Sequence, residues 1–288
     1  MTRPESFPLV GLLHFGTDVS FPLLEFAREA EDRGFDSVVL PQHTHMPVSS
    51  EYPLGELPDR YRRVLDPYIA LSAVAARTSL RIGTCVSLVA QHDPIALAKA
   101  VATLDFLSGG RVTLGVGYGW NRAELTDHGH RFGDRRAIAR EHVELMRTLW
   151  RDDVAEYQGL HARVSPSWAW PKPVHGSVPV LLGVQPTERG VADIVAWADG
   201  WMPGSDDQLE LGLPALREAW QRAGRADAGP VVWPKINYSG DDEDLRSRIE
   251  RCHELGVDQI LLDLQAVPRE DTLRILDRYS AVLAKSTR

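Results

Sequence analysis

Two histidines, His43 and His45, flank Thr44 just after the apolar run Ser37 to Leu40. An imidazole at such a place can act as a general acid or base near neutral pH. The spacing also fits the His-x-His pair of a barrel metal site. Further metal ligands are not evident: His128, His130 and His175 fall in loops, and the last apolar run offers only Asp263. His14 ends the first apolar run and can line the same pocket. Gly115, Gly117 and Gly119 alternate with Val116 and Tyr118 ahead of Trp120. Glycines let a ligand approach the backbone closely, and successive N–H groups there can form an anion nest suited to a phosphate. The pattern is not the dinucleotide fingerprint, because Trp120 stands where its last glycine belongs. Each reading has a plainer alternative: a solvated loop histidine for His43, a hydrogen-bonded core histidine for His14, a packing turn for the glycines. Cys85 sits in an apolar run and reads as an inert thiol. No G-x-S-x-G elbow, Walker A loop or H-E-x-x-H motif occurs.

The elements that must position these residues alternate along the chain. Strands are expected at Val10 to His14, Ser37 to Leu40, Leu80 to Leu88, Val112 to Val116, Val178 to Val184, Gly200 to Pro203, Val231 to Ile236 and Gln259 to Leu264. Helices are expected between them. Ser20 is read as the N-cap of the first, with Gly34 as its stop. Asp66-Pro67 and Asp93-Pro94 each pair a capping acid with an N1 proline. Later helices are expected from Asp134 to Trp150, Thr187 to Trp197, Pro214 to Ala223, Asp242 to Leu255 and Glu270 to Ala284. The strands read as continuous apolar runs, as in a parallel sheet covered on both faces. Eight strand–helix units at this length point to an α/β fold, a (β/α)8 TIM barrel, over a single domain 1-288, with active groups at the C-terminal ends of the strands. Two long connections, Pro41 to Leu65 and Arg151 to Ser177, read as insertions at that face. The second carries Trp168 and Trp170, read as a possible substrate cover or as packing.

Composition narrows the function classes. The 288 residues are 43% hydrophobic and 25% charged, with 32 basic against 40 acidic side chains and a net charge of −8. That is globular composition, with no basic block for nucleic acid. No stretch approaches the roughly 18 apolar residues of a membrane span. Met1 to Ser6 has no signal-peptide pattern, and two distant cysteines make no disulfide framework, so a cytoplasmic location is expected.

Together the motifs resemble the luciferase-like superfamily of flavin- and deazaflavin-dependent oxidoreductases. The resemblance rests on Asp66-Pro67, Arg81 to Val86, His92-Asp93-Pro94, Leu104 to Arg111 and Leu114 to Trp120, then on Pro179 to Gly183 and Ala198 to Trp201. Within it the chain is most similar to members using coenzyme F420, an 8-hydroxy-5-deazaflavin. The resemblance implies a barrel with the cofactor in its C-terminal mouth. It implies a bulge at Cys85-Val86, often with a non-proline cis peptide, behind the deazaflavin ring. It places the cofactor's tail phosphate at Gly117, Tyr118, Gly119 and Trp120, and a second contact at Gly183, Val184 and Gln185, where relatives often carry glycines or serines.

His43 matches the histidine near the reactive ring carbon. Some relatives carry an acid just before it, where this chain has Gln42. The expected activity is hydride transfer between the deazaflavin and a small organic substrate, with His43 as the proton partner and His14 and Gln42 positioning or polarising the substrate. The alternatives are an FMN-dependent monooxygenase served by a flavin reductase, and a non-catalytic flavin or deazaflavin carrier. The resemblance also implies a homodimer.

Overall fold

The computed structural model describes residues 8–225, 229–237, 240–264 and 267–286; the N-terminal residues read for a signal peptide lie outside these. In chain order the elements are β1 (Leu9–His14), α1 (Leu23–Asp32), β2 (Ser37–Leu40), α2 (Pro67–Ala75), β3 (Arg81–Ser87), α3 (Pro94–Ser108), β4 (Val112–Val116), α4 (Arg122–Asp127) and α5 (Arg135–Arg151). There follow β5 (Ala155–Gln158), β6 (Arg163–Ser167), β7 (Val180–Leu182), α6 (Glu188–Trp197), β8 (Gly200–Trp201), α7 (Asp206–Arg222), β9 (Val231–Val232), β10 (Lys235–Asn237), α8 (Asp242–Glu254), β11 (Gln259–Leu264) and α9 (Arg269–Ser286).

Nine strands form one curled parallel sheet in the order β10-β11-β1-β2-β3-β4-β7-β8-β9. The strand expected over Val231 to Ile236 is divided into β9 and β10. Pro234 has no N–H to donate, so the ladder breaks there. The segment faces both ends of the sheet order: Trp233 N donates to Trp201 O, and Pro234 O accepts from Leu261 N.

Residues alternate across the sheet. Leu13, Val39, Leu181, Met202, Trp233 and Leu261 pack together inside the curl. Val10, Leu12, Val38, Leu40, Ile82 and Leu114 pack outward with the helices in the larger core. This alternation decides which strand-end residues reach the site.

Asp66 Oδ1 accepts from Ile69 N at 2.9 Å and Asp93 Oδ1 from Ala96 N at 2.8 Å, so both capping acids act as expected. Ser20 does not cap α1. Its hydroxyl closes a tight loop on Thr17, and the helix starts after Pro22. Helix α7 begins well before Pro214, because Ser205 caps it at Gln208 N and Asp206 and Asp207 fill its first turn. Pro214 lies on the exposed side, where the carbonyl it leaves free, on exposed Glu210, meets water.

The segment from Arg151 to Ser177 is not an insertion over the strand ends. Strands β5 and β6 form an antiparallel hairpin against α5, held by Tyr157 Oη to Glu144 at 2.9 Å. Lys172 donates to the carbonyls of Leu149 and Asp152, and Lys99 on α3 donates to Trp170 O. Trp168 lines an outer groove between α3 and α5, and Lys99 on α3 holds Trp170 beside it. Among the described residues, no helix is long and apolar enough to cross a membrane.

Candidate active site

A cleft of about 920 Å³ opens at the C-terminal ends of the parallel strands. Its size lies in the range of small-molecule and cofactor sites. Its floor is Cys85-Val86 at the end of β3, and that peptide bond is cis. Val86 is a wedge between two glycines. A Cβ on Gly117 would lie 2.4 Å from Val86 Cγ2, and one on Gly183 would lie 2.8 Å from Val86 Cγ1. A β-branched side chain flanked on both sides cannot turn away, so only glycine fits at 117 and 183. Burial pushes the Cys85 thiol up to about 12. The thiol stays neutral and is no nucleophile.

The loop after β4 forms one wall. Gly117 N donates to Ser87 O at 2.9 Å, so it is spent on the fold and takes no part in a nest. The N–H groups of Tyr118, Gly119 and Trp120 have no acceptor among the described residues, with Gly119 at φ +74°. Three free donors in succession suit an anionic group. Tyr118 Oη donates to Asp193 Oδ2 at 2.8 Å. The Arg136 guanidinium lies 4.5 Å from the Tyr118 ring and 2.7 Å from the same carboxylate, placing a cation at the cleft wall. Burial, and then the charges of Arg136, Arg122 and Arg189, hold the adjacent Arg135 below the ordinary guanidinium range. Gly183, Val184 and Gln185, which follow the neighbouring strand β7, line the cleft beside that loop, with Gly183 N donating to Val116 O at 2.8 Å. Gly115, the first of the three alternating glycines, is a packing position against Thr84 O and Met202.

His43 faces this cleft, and its partner is a residue that the sequence did not single out for the site. Its Nδ1 lies 2.8 Å from Glu124 Oε2, with the two side chains 6% and 0% exposed. A carboxylate only accepts, so Nδ1 carries the proton and Nε2 is left for the cleft. Glu124 Oε1 also accepts from Thr44 N at 3.0 Å. Burial works against the charged carboxyl, but the bonds from His43, Gln91 and Thr44 outweigh it and hold Glu124 below its ordinary range. The His43 ring meets the edges of Tyr61 and Trp120, with centroids 5.4 and 5.7 Å away. Tyr52, Tyr61 and Trp120 build an aromatic wall. Tyr52 and Tyr61 come from the connection Pro41 to Leu65, which also brings Leu54 and Arg60 to the cleft.

Gln42 lines the cleft, but its amide is engaged in holding the frame. Oε1 accepts from Ser87 Oγ at 2.8 Å and Leu88 N at 2.7 Å, and Nε2 donates to His92. It is a positioning residue that ties the end of β2 to the end of β3. His14 is placed away from the cleft. Leu13 and Phe15 turn inward on β1, so His14 turns outward, stacks on Phe26 of α1 at 4.0 Å and is 1% exposed. Neither ring nitrogen has a partner among the described residues, and burial lowers its pKa to about 4. His14 therefore does not reach the cleft, where it was expected to position the substrate. Asp263 pairs with Lys235 at 3.5 Å across β11 and β10 at the cleft edge. Neighbouring Arg60 lies over the Phe15 ring at 4.9 Å.

Comparison with known proteins agrees with this architecture. An uncharacterized protein of Mycobacterium tuberculosis (strain ATCC 25618 / H37Rv) is 40% identical over 282 residues, covering 95% of this chain and 98% of that protein. The F420-dependent glucose-6-phosphate dehydrogenase of Segniliparus rotundus is 34% identical over 234 residues, covering 76% of this chain and 65% of that enzyme. The crystal structure of monooxygenase RslO1 from Streptomyces bottropensis shares the fold, with a TM-score of 0.78 at 20% identity over 96% of this chain and 99% of that one. The family model described as luciferase-like monooxygenase matches residues 22–249, from α1 into α8, and takes in His43, Cys85-Val86 and the loop after β4. The chain belongs to the luciferase-like monooxygenase family.

Proposed function

We propose that the cleft binds coenzyme F420 and that the chain is an F420-dependent oxidoreductase acting on a small organic substrate. One observation carries this reading: the His43–Glu124 pair faces the same cleft as the Val86 floor and the free N–H groups of Tyr118, Gly119 and Trp120. Those residues fit a flat ring system with an anionic tail. Val86 and the two glycines leave an even floor, and the N–H groups with Arg136 meet a phosphate. The name of the Segniliparus relative supports F420 as the cofactor. When bound, a deazaflavin supplies two-electron hydride chemistry and reacts poorly with oxygen. The chain's own residues do the rest. His43 Nε2 takes or gives the proton that accompanies the hydride, Glu124 fixes the tautomer that leaves Nε2 free, and the aromatic wall keeps water from the reacting face.

Arg60 has no carboxylate partner among the described residues and offers a cation to a polar or anionic substrate group. We also infer that 231–237 counts as one interrupted strand, so that nine strands occupy the eight positions of a (β/α)8 barrel. The reading is tested by anaerobic turnover of F420 with a panel of alcohols and sugar phosphates, glucose 6-phosphate first. Loss of the oxidised deazaflavin's visible absorbance with one substrate is the expected result. Binding of F420 without bleaching by any substrate would leave a carrier.

A further inference from the structure

The carboxylate behind His43 does not end in the protein interior. Thr44 Oγ1 donates to Glu124 Oε1 at 3.4 Å. The same oxygen lies 2.7 Å from His128 Nε2 and 3.0 Å from His45 Nδ1. His45 Nε2 continues to Asp127 Oδ2 at 3.0 Å, with those two side chains 42% and 60% exposed. Thr44 itself is exposed, whereas Glu124 is fully buried. A hydroxyl with one donor hydrogen and two lone pairs can serve both sides of this junction. Burial holds His128 below the ordinary histidine range, so the ring is neutral near pH 7 and carries one nitrogen without a proton.

We propose that Thr44 is the outlet of a proton path running from His43 through Glu124 to the surface imidazoles His45 and His128. The inference rests on the reading of His43 as the group that handles the reaction's proton. A proton arriving at His43 Nε2 lets the Nδ1 proton pass to Glu124 Oε2. A turn of the carboxyl exchanges its oxygens, and the acid gives a proton to Thr44 Oγ1 as the threonine's own proton passes to His128 or His45 and then to water. One proton enters, one leaves, and no electrons move. The reverse order delivers a proton to the cleft. Thr44 is thus a positioning and relay residue that never touches substrate. Its backbone N–H anchors Glu124 separately at 3.0 Å, so the hydroxyl can be removed without releasing the carboxylate.

The test needs neither cofactor nor substrate. In protein labelled with nitrogen-15 histidine, the His43 Nδ1–H resonance is assigned by its loss in His43→Gln, and its exchange with water is measured by saturation transfer. Thr44→Val is expected to slow that exchange by about tenfold or more (about 1.4 kcal/mol in the barrier) with the resonance position kept. Thr44→Ser is expected to restore it. The double variant His45→Ala/His128→Ala, which leaves the buried His43–Glu124 pair untouched, is expected to slow it too and carries the test if the valine variant does not fold. Wild-type exchange in both the valine and the double-alanine proteins would overturn the path. Slowed exchange in a protein that binds no F420 would keep the path and remove the cofactor reading. Unchanged exchange in a protein that turns F420 over would do the opposite.

Discussion

The Val86 wedge can be tested by a double-mutant cycle with Gly117→Ala and Val86→Ala. A Cβ on Gly117 would lie 2.4 Å from Val86 Cγ2, and the other γ carbon is already against Gly183. Overpacking of this kind costs about 1–3 kcal/mol. Replacing glycine by alanine returns about 0.4–1 kcal/mol through the unfolded chain where the backbone is compatible, and Gly117 is not in the left-handed region. Gly117→Ala should therefore destabilise by about 1–2 kcal/mol net. Val86→Ala removes two partly buried methyl groups, for a loss of about 1 kcal/mol. In the double variant the nearest remaining atom is Val86 Cβ at 3.3 Å, a contact that a shift of a few tenths of an ångström relieves. The two losses should not add, and a coupling of about 1–2 kcal/mol is expected. Urea unfolding of the four proteins measures it. F420 titration of the same four should show Gly117→Ala weakening binding, as Val86 is driven into the cleft, and the double variant recovering. Losses that add within about 0.5 kcal/mol would refute the wedge.

Three other outcomes follow from the same structure. His14 is held neutral with a pKa near 4 against an ordinary 6.5; the unfolded chain takes up that proton first, so stability is full above pH 6.5 and falls by about 3 kcal/mol as pH drops to 4. His14→Phe should remove that part of the acid loss in urea unfolding at several pH values, and an unchanged slope would place His14's cost elsewhere. His43→Ala should lower turnover by about 100-fold or more with F420 affinity nearly unchanged; equal turnover in steady-state kinetics would end its catalytic role. Trp168→Ala and Trp170→Ala should leave kcat and KM as they are, because neither lines the cleft and Trp168 lies in the groove outside α3 and α5, and a large rise in KM would show that they reach the substrate.

Local chemistry made much of the frame legible. Asp66-Pro67 and Asp93-Pro94 fix their helix starts through bonds within three residues, and continuous apolar runs mark strands buried on both sides. Residues that line the cleft could be read where they follow a strand end, as at His43, or where the resemblance implied them, as at Cys85-Val86; Gly117, expected at a phosphate, is instead a packing position whose N–H is spent on Ser87 O. Glu124 was not. Asn121 caps the short helix at Ala123 and Glu124 N, so a glutamate three residues on reads as part of a helix start, while its bond to His43 spans 81 residues. His14 misled because strand-end position says nothing about side: one step of alternation turns it to the helices. The break at Pro234 was visible as a proline inside an expected strand. The hairpin β5–β6 was hidden because its exposed, polar strands lack the apolar runs that marked the others.

The central claim is that this cleft is built for a deazaflavin. Parallel titration of the purified protein with F420 and with FMN, followed by quenching of each cofactor's fluorescence, tests it most directly. The account predicts tight, saturable F420 binding that weakens in Gly117→Ala, with FMN bound far less well. Tight FMN binding with weak F420 binding would contradict it and move the chain to the oxygen-using monooxygenases of the same family.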